Sequence, residues 1–191
     1  MKILDLGCGK NKGYLYPEGW EGEVIGVDID PHSQADVVWD LEKFPYPFED
    51  NEFDRIFARH SIEHLEDTVS TLKEIHRITR PGGIVHIETP YACSPNGLGT
   101  ITHKKFFSIY SFEFPKDIYP DKDLRFRVLS RRLEYIFRGE PRRQSWKGRS
   151  LRLINIPMDF IINLSHRFYE KILRHYVGDA DCMTIELQVM K

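Results

Sequence analysis

The chain has 191 residues, 41 % of them hydrophobic and 29 % charged, with a formal net charge of −2. That length makes about one domain, large enough for a single substantial core. Three cysteines (Cys8, Cys93 and Cys182) stand too far apart for a CxxC pair, which speaks against a disulfide framework or zinc site and for a reducing cytosol.

Residues 2–6 read as a short apolar strand running into the turn Gly7-Cys8-Gly9. Glycines there let the backbone bend sharply and approach a ligand closely. A second strand, residues 23–28, ends on Asp28, about twenty residues past the turn. A carboxylate so placed accepts hydrogen bonds from two ribose hydroxyls, so a nucleoside-containing cofactor is expected. Val37-Val38-Trp39 is a third strand ending at Asp40. Phe44-Pro45-Tyr46-Pro47-Phe48 is irregular, because two prolines remove backbone donors. A fourth strand runs from Phe53 to Ala58. Leu65 to Thr79 has helical spacing, with Leu65, Val69, Leu72, Ile75 and His76 on one stripe and Asp67 near the positive end. Pro81-Gly82-Gly83 ends it and leads into a fifth strand, Ile84 to Glu88, which exits at Thr89-Pro90. Strands alternating with helical segments predict a parallel sheet with right-handed crossovers.

Beyond residue 90 the alternation lapses. Residues 91–124 are loop-rich and aromatic, with Tyr91, Phe106, Phe107, Tyr110, Phe112, Phe114 and Tyr119. A sixth strand is expected at Arg125 to Leu129, and a seventh at Met183 to Met190. Residues 125–175 hold thirteen Lys and Arg against four Asp and Glu, so the rest of the chain is acidic. The basic residues include Arg132, Arg138, Arg142, Arg143, Lys147 and Arg149. Met158, Ile161, Ile162, Phe168, Tyr169, Ile172, Leu173 and Tyr176 fall on one side of a helical stretch, and Asp159, Asn163, Arg167, Lys171 and Arg174 on the other. Three partners suit that stretch: the protein's own sheet or a second subunit in a homodimer, an anionic membrane surface, or, least favoured, nucleic-acid phosphates. No apolar run reaches the roughly 18 residues that span a bilayer. A first strand starting at residue 2 leaves no room for a signal peptide, so a cytoplasmic location, at most peripheral to a membrane, is expected.

A dinucleotide would suit Asp28 equally well, but glycines at 7, 9 and 13 put the third one residue late for GxGxxG. Lys10 to Gly22 is also too rich in glycine for the helix whose N-terminus receives a pyrophosphate. Asp5 in the turn would repel phosphates and attract an amino group. The Asp5-x-Gly7-x-Gly9 turn, Asp28, the Asp40-Leu41 pair, the exit Ala58-Arg59-His60-Ser61 and the run Leu72-Lys73-Glu74-Ile75-x-Arg77-x-x-x-Pro81-Gly82-Gly83 stand in order over residues 2–90. Together they resemble a class I S-adenosylmethionine-dependent methyltransferase of the type 11, small-molecule kind.

The resemblance implies a Rossmann-like α/β fold: a doubly wound, mostly parallel seven-stranded sheet with an antiparallel last strand and helices on both faces. One domain would hold a cofactor half (1–90), an aromatic substrate region (91–124) and a basic insertion (130–178). It implies S-adenosyl-L-methionine as cofactor and S-adenosyl-L-homocysteine as product. Gly7, Cys8 and Gly9 would line the methionine part and Asp5 would attract its amino group. Asp28 would hold the ribose with Ile29 against the adenine. Asp40 would accept from the adenine amino group beside the Leu41 backbone, and Arg59 with His60 would meet the methionine amine or the sulfonium. Relatives usually carry helices before the first strand and after the glycine turn; this chain shows neither, so an open cleft is expected.

Methyl transfer is an in-line displacement that rests mostly on positioning, worth about 7–11 kcal/mol at best, and a hydroxyl acceptor gains from a base. His103 is the first candidate base, with a backbone-bonded loop histidine as the alternative. His64 either takes part or braces the turn after strand four. Tyr91 positions an acceptor or sits in the core. No HExxH or clustered carboxylates point to a metal, and none is expected. The sequence therefore reads as an O-methyltransferase for a small-molecule, glycan or lipid-linked acceptor. A non-catalytic S-adenosylmethionine-binding sensor or scaffold and a nicotinamide-dependent dehydrogenase are the other readings.

Overall fold

Parallel pairing starts from the first strand. β1 (Lys2–Leu6) lies between β2 (Glu23–Asp28) and β4 (Phe53–Arg59), and β2 pairs with the two-residue β3 (Val37–Val38). In this computed structural model, residues 1–14, 16–113, 124–135 and 156–191 are described. β5 (Thr79–Pro90) runs parallel to β4, while β7 (Cys182–Val189) runs antiparallel between β5 and β6 (Phe126–Glu134). The seven-stranded order is β3-β2-β1-β4-β5-β7-β6. The Rossmann-like sheet with an antiparallel last strand is thus present, and β1 and β2 keep their expected bounds.

Helix α1 (Thr68–Ile78) starts three residues later than its apolar spacing predicts. Ile62–His64 forms a separate 3-10 turn, and Leu65 is extended. Asp67 then caps the helix by accepting from the Ser70 backbone N–H at 2.9 Å, satisfying one of the orphan donors. Leu72, Ile75 and Ile78 face the core, whereas Val69 stays exposed. Arg77 on this helix donates to the Tyr46 and Phe48 carbonyls and so holds the double-proline segment in place.

The sheet's two faces are covered unequally. Every large side chain that a described helix buries (Leu72, Ile75, Ile78, Ile162 and Tyr169) joins the cluster of Leu4, Leu6, Ile56, Val85 and Ile185. Ile3 and Phe57 point the other way, under Trp20 and Tyr16 from the β1–β2 connection. Among the described residues, helical cover therefore falls on one face where the sequence predicts two. The reason is local: the described residues of the connections between Gly7 and Phe53 form turns and no helix.

After β5 comes the short α2 (Pro95–Gly99), and after β6 come α3 (residues 156–164) and α4 (residues 166–177), the latter made of His166–Phe168, a π turn Tyr169–Leu173, and Arg174–Val177. Here the expected facing of the helices is corrected. Asn163 was placed on the solvent side, but its side chain accepts from Leu133 N–H and donates to Leu133 C=O, both at 2.8 Å. Asp159 is buried and accepts from Tyr135 N–H at 2.8 Å. β6 is the sheet's edge, and its unpaired backbone groups draw in these two polar side chains. In turn Ile161, Phe168, Ile172 and Tyr176, on the predicted apolar side, are exposed, while Ile162 and Tyr169 from that side are buried. Phe114, Tyr119, Arg138, Arg142, Arg143, Lys147 and Arg149 lie outside the described residues.

Candidate active site

The C-terminal ends of β1, β2 and β4 meet at one place, as the crevice rule for open parallel sheets requires. Gly7 leaves β1 at φ +74° and donates to the Val27 carbonyl at 2.8 Å. A Cβ on Gly7 would stand 2.6 Å from the Ser61 Cβ, so this glycine is needed both for its backbone angle and for the close approach of the β4 exit. Gly9, at φ +53°, is different: a Cβ there would meet nothing within 4 Å. Its outer side is open space.

Asp28 joins the turn to β2. One carboxylate oxygen accepts from Gly9 N–H at 2.8 Å and the other from Asp30 N–H at 2.9 Å. A carboxylate offers about four lone-pair directions, so capacity remains for two hydroxyl donors. Ile29 beside it is 65 % exposed, and Val38, the β3 partner of Asp28, is 54 % exposed. Two bare aliphatic side chains flanking a carboxylate make an apolar seat for a flat ring. Sequence reasoning named Ile29 and missed Val38, whose facing depends on strand register.

The other expected cofactor residues divide. Asp40 caps its own turn, accepting from Glu42 N–H at 3.0 Å, and its second oxygen stands 3.9 Å from Lys43 Nζ. Leu41 is buried in the main core, so only its backbone is available. Asp5 is turned under the turn instead of toward the open side: it accepts from Tyr16 Oη at 2.9 Å and Gly13 N–H at 3.2 Å. Burial pushes its carboxyl up from the ordinary range, opposed by those two donors. Burial also pushes the Cys8 thiol up to about 12, so it remains protonated and unreactive. The Arg59 guanidinium lies over the Tyr14 ring, 5.3 Å from its centroid. His60, at φ +48°, has Nδ1 3.4 Å from Glu63 Oε1 and Nε2 3.7 Å from Glu88 Oε1. Burial raises the Glu88 carboxyl. Glu63 and Glu88 were not anticipated; Glu88 is in register with Arg59 at the end of β5, a signal that pairing alone supplies.

Two of the three expected catalytic side chains come together. The His64 and His103 rings sit 4.9 Å apart at 66°. His64 Nδ1 is 3.1 Å from the Thr102 carbonyl and His103 Nδ1 is 2.9 Å from the Gly97 carbonyl. A carbonyl only accepts, so both Nδ1 atoms carry a proton, and in the neutral rings Nε2 is the atom with the lone pair. The loop with His103 is anchored to the 3-10 turn because Lys104 and Lys105 both donate from their backbone N–H to the Glu63 carbonyl. Tyr91 is the exception. It is 1 % exposed, packed on Tyr169, with its hydroxyl donating to Glu170 at 3.2 Å, which is the core alternative.

Residues 4–87 match the family model of a methyltransferase domain. Over those residues the chain is similar to a methyltransferase domain. Phosphoethanolamine N-methyltransferase 3 of Arabidopsis thaliana is 32 % identical over 58 % of the chain and 24 % of its own length. Demethylmenaquinone methyltransferase of Staphylococcus saprophyticus is 33 % identical over 62 % of the chain and 54 % of its own length. The chain thus spans about a quarter and about half of these two relatives. Among solved structures, a SAM-dependent methyltransferase from Archaeoglobus fulgidus superposes with a TM-score of 0.61 at 20 % identity, covering 98 % of this chain and 85 % of that one, which shows a shared fold. The strand ends fit S-adenosylmethionine. Gly9 opens onto free space, Asp28 has acceptor capacity left for a ribose, and Ile29 and Val38 offer an adenine seat.

Proposed function

We propose that the protein transfers the methyl group of S-adenosylmethionine to a hydroxyl oxygen of a small organic acceptor, a sugar or lipid-linked alcohol being the class that suits the site. The observation that carries this reading is the His64–His103 pair, whose Nε2 atoms are lone-pair acceptors in the neutral rings and which follows the β4 exit that Gly7 closely approaches at Ser61. An alcohol oxygen is a weak nucleophile until its proton is drawn away, and a neutral imidazole supplies about 10²- to 10⁴-fold through that step. The oxygen lone pair forms the new O–CH3 bond. The C–S electron pair stays on sulfur, turning the sulfonium into a neutral thioether, and the hydroxyl proton passes to the imidazole. The two curated relatives are named for different acceptors, so the acceptor of this chain has to come from its own site.

Turnover tests it. S-adenosylmethionine with a panel of hydroxylated acceptors should yield S-adenosylhomocysteine and a methyl ether. Cofactor binding with no methylated product from any acceptor would favour a sensor instead.

The membrane-surface reading also has a specific observation behind it. Ile156, Phe160, Leu164, Phe168, Ile172 and Tyr176 recur at every fourth residue through α3 and α4, and all are exposed, with Arg167 and Lys171 alongside. An apolar stripe edged by cations suits an anionic lipid interface, each nearby basic residue adding about 1 kcal/mol. Flotation with liposomes containing anionic lipid, weakened by salt, is expected. A dimer in size-exclusion chromatography with no flotation would assign the stripe to a second subunit.

A further inference from the structure

We propose that Glu63, His64 and His103 hold a divalent transition-metal cation of the zinc type, with at least one coordination position left for the acceptor. The proposal deepens the O-methyltransferase reading and rests on it for the metal's purpose. One ligand atom from each of the three residues lies within 4.8 Å of the other two. Small side-chain rotations bring such a set around one ion.

Each ligand is prepared for this use. Both histidines have Nδ1 committed to a backbone carbonyl, the outer contact that fixes the tautomer and leaves Nε2 free to ligate. Glu63 is 2 % exposed; its Oε2 accepts from Thr89 Oγ1 at 3.1 Å, while Oε1 makes no hydrogen bond and stands 3.4 Å from His60 Nδ1. A buried carboxylate oxygen left this way is costly unless something positive completes it. The backbone agrees: Lys104 and Lys105 donate to the Glu63 carbonyl at 2.8 and 3.0 Å, tying the third ligand's loop to the turn that bears the first two.

Two imidazoles and one carboxylate form the three-ligand set of catalytic zinc sites that keep a position open. With both Nε2 lone pairs on the cation, water takes the place of the imidazole as proton acceptor: the bound acceptor alcohol would lose its proton to water as the cation stabilises the alkoxide. The alkoxide then attacks the methyl carbon, and the C–S pair leaves on sulfur as before. The sequence expectation of no metal rested on spacing along the chain, and His103 lies far from Glu63 and His64 in that sense. A second cluster, His60, Glu88 and Cys182, is a poorer ligand set. Cys182 is buried, its thiol donates to the Thr89 carbonyl at 3.2 Å, and burial holds the proton on.

The test is a Co2+ titration of the chelator-treated full chain, followed by visible absorption, with Zn2+ as competitor. One equivalent should give a d–d spectrum without a thiolate charge-transfer band, and Zn2+ should abolish it. His64→Ala and His103→Ala should each weaken Co2+ by more than about 100-fold, beyond what losing an outer-shell partner costs. The isosteric Glu63→Gln should weaken it at least about tenfold. Absence of a wild-type spectrum, or affinity unchanged in Glu63→Gln, would overturn the site. So would a charge-transfer band that Cys182→Ser removes. Binding of S-adenosylhomocysteine, measured in parallel, should stay the same with and without metal. Loss of the metal result with methyl transfer intact rejects this site alone, whereas a Co2+ spectrum with no transfer to any acceptor rejects the function.

Discussion

At the tip of β2, Asp28 binds the glycine turn through Gly9 and its own loop through Asp30. Its remaining acceptor capacity is what a ribose would use. Asp28→Ala should weaken S-adenosylhomocysteine binding by about 1.5–3 kcal/mol, the usual cost of losing hydrogen bonds to a charged group. Calorimetric titration reads this directly, and unchanged affinity removes Asp28 from the site. His103→Ala should instead lower kcat and leave that affinity intact; normal turnover would rule the side chain out. The positions of Gly7, Gly9 and Asp28 at the strand ends follow from spacing and were legible in the sequence. Val38, Glu63 and Glu88 were not, since strand register and a 3-10 turn bring them to the strand ends. Tyr91 stood at the right place along the chain, but its ring was needed in the core against Tyr169.

Elements show the same division. β1, β2, β4 and α1 could be read from apolar spacing and caps, because each obeys its own local period. The helices after β6 could not. Their facing is set by the edge strand, whose Leu133 and Tyr135 backbone groups take Asn163 and Asp159 as partners. Asn163→Ala should therefore cost about 1–3 kcal/mol of unfolding free energy, since it strands a backbone donor and acceptor together. A loss below a few tenths would show that water replaces the amide freely. On the sheet's other face, His86 stacks on Phe57 at 5.3 Å and meets Trp20 edge-on. Burial holds its pKa below the ordinary 6.5 despite Glu186 nearby. The unfolded chain then takes up a proton that the folded one refuses, so stability is full above pH 6.5 and falls as pH drops below it. His86→Phe keeps the ring stack and removes the proton. Its melting temperature should fall less than the wild type's between about pH 7.5 and about pH 5.5; equal falls would place the titration elsewhere, His166 being the next buried candidate.

Taken whole, the molecule is a methyltransferase-type sheet with few connecting helices. Helices pack on one face, two aromatic residues cover part of the other, and the cofactor end is framed by turns. No helix among the described residues is long and apolar enough to cross a membrane. The account as a whole depends on the tips of β1, β2 and β3 forming one adenosyl-binding cradle. A crystal structure with S-adenosylhomocysteine bound is its most direct test. The ribose oxygens should lie within hydrogen-bonding distance of the Asp28 carboxylate, the adenine should rest on Ile29 and Val38, and the chain at Gly9 should abut the ligand. A ligand bound elsewhere, with Asp28 and Val38 left bare, would contradict the account.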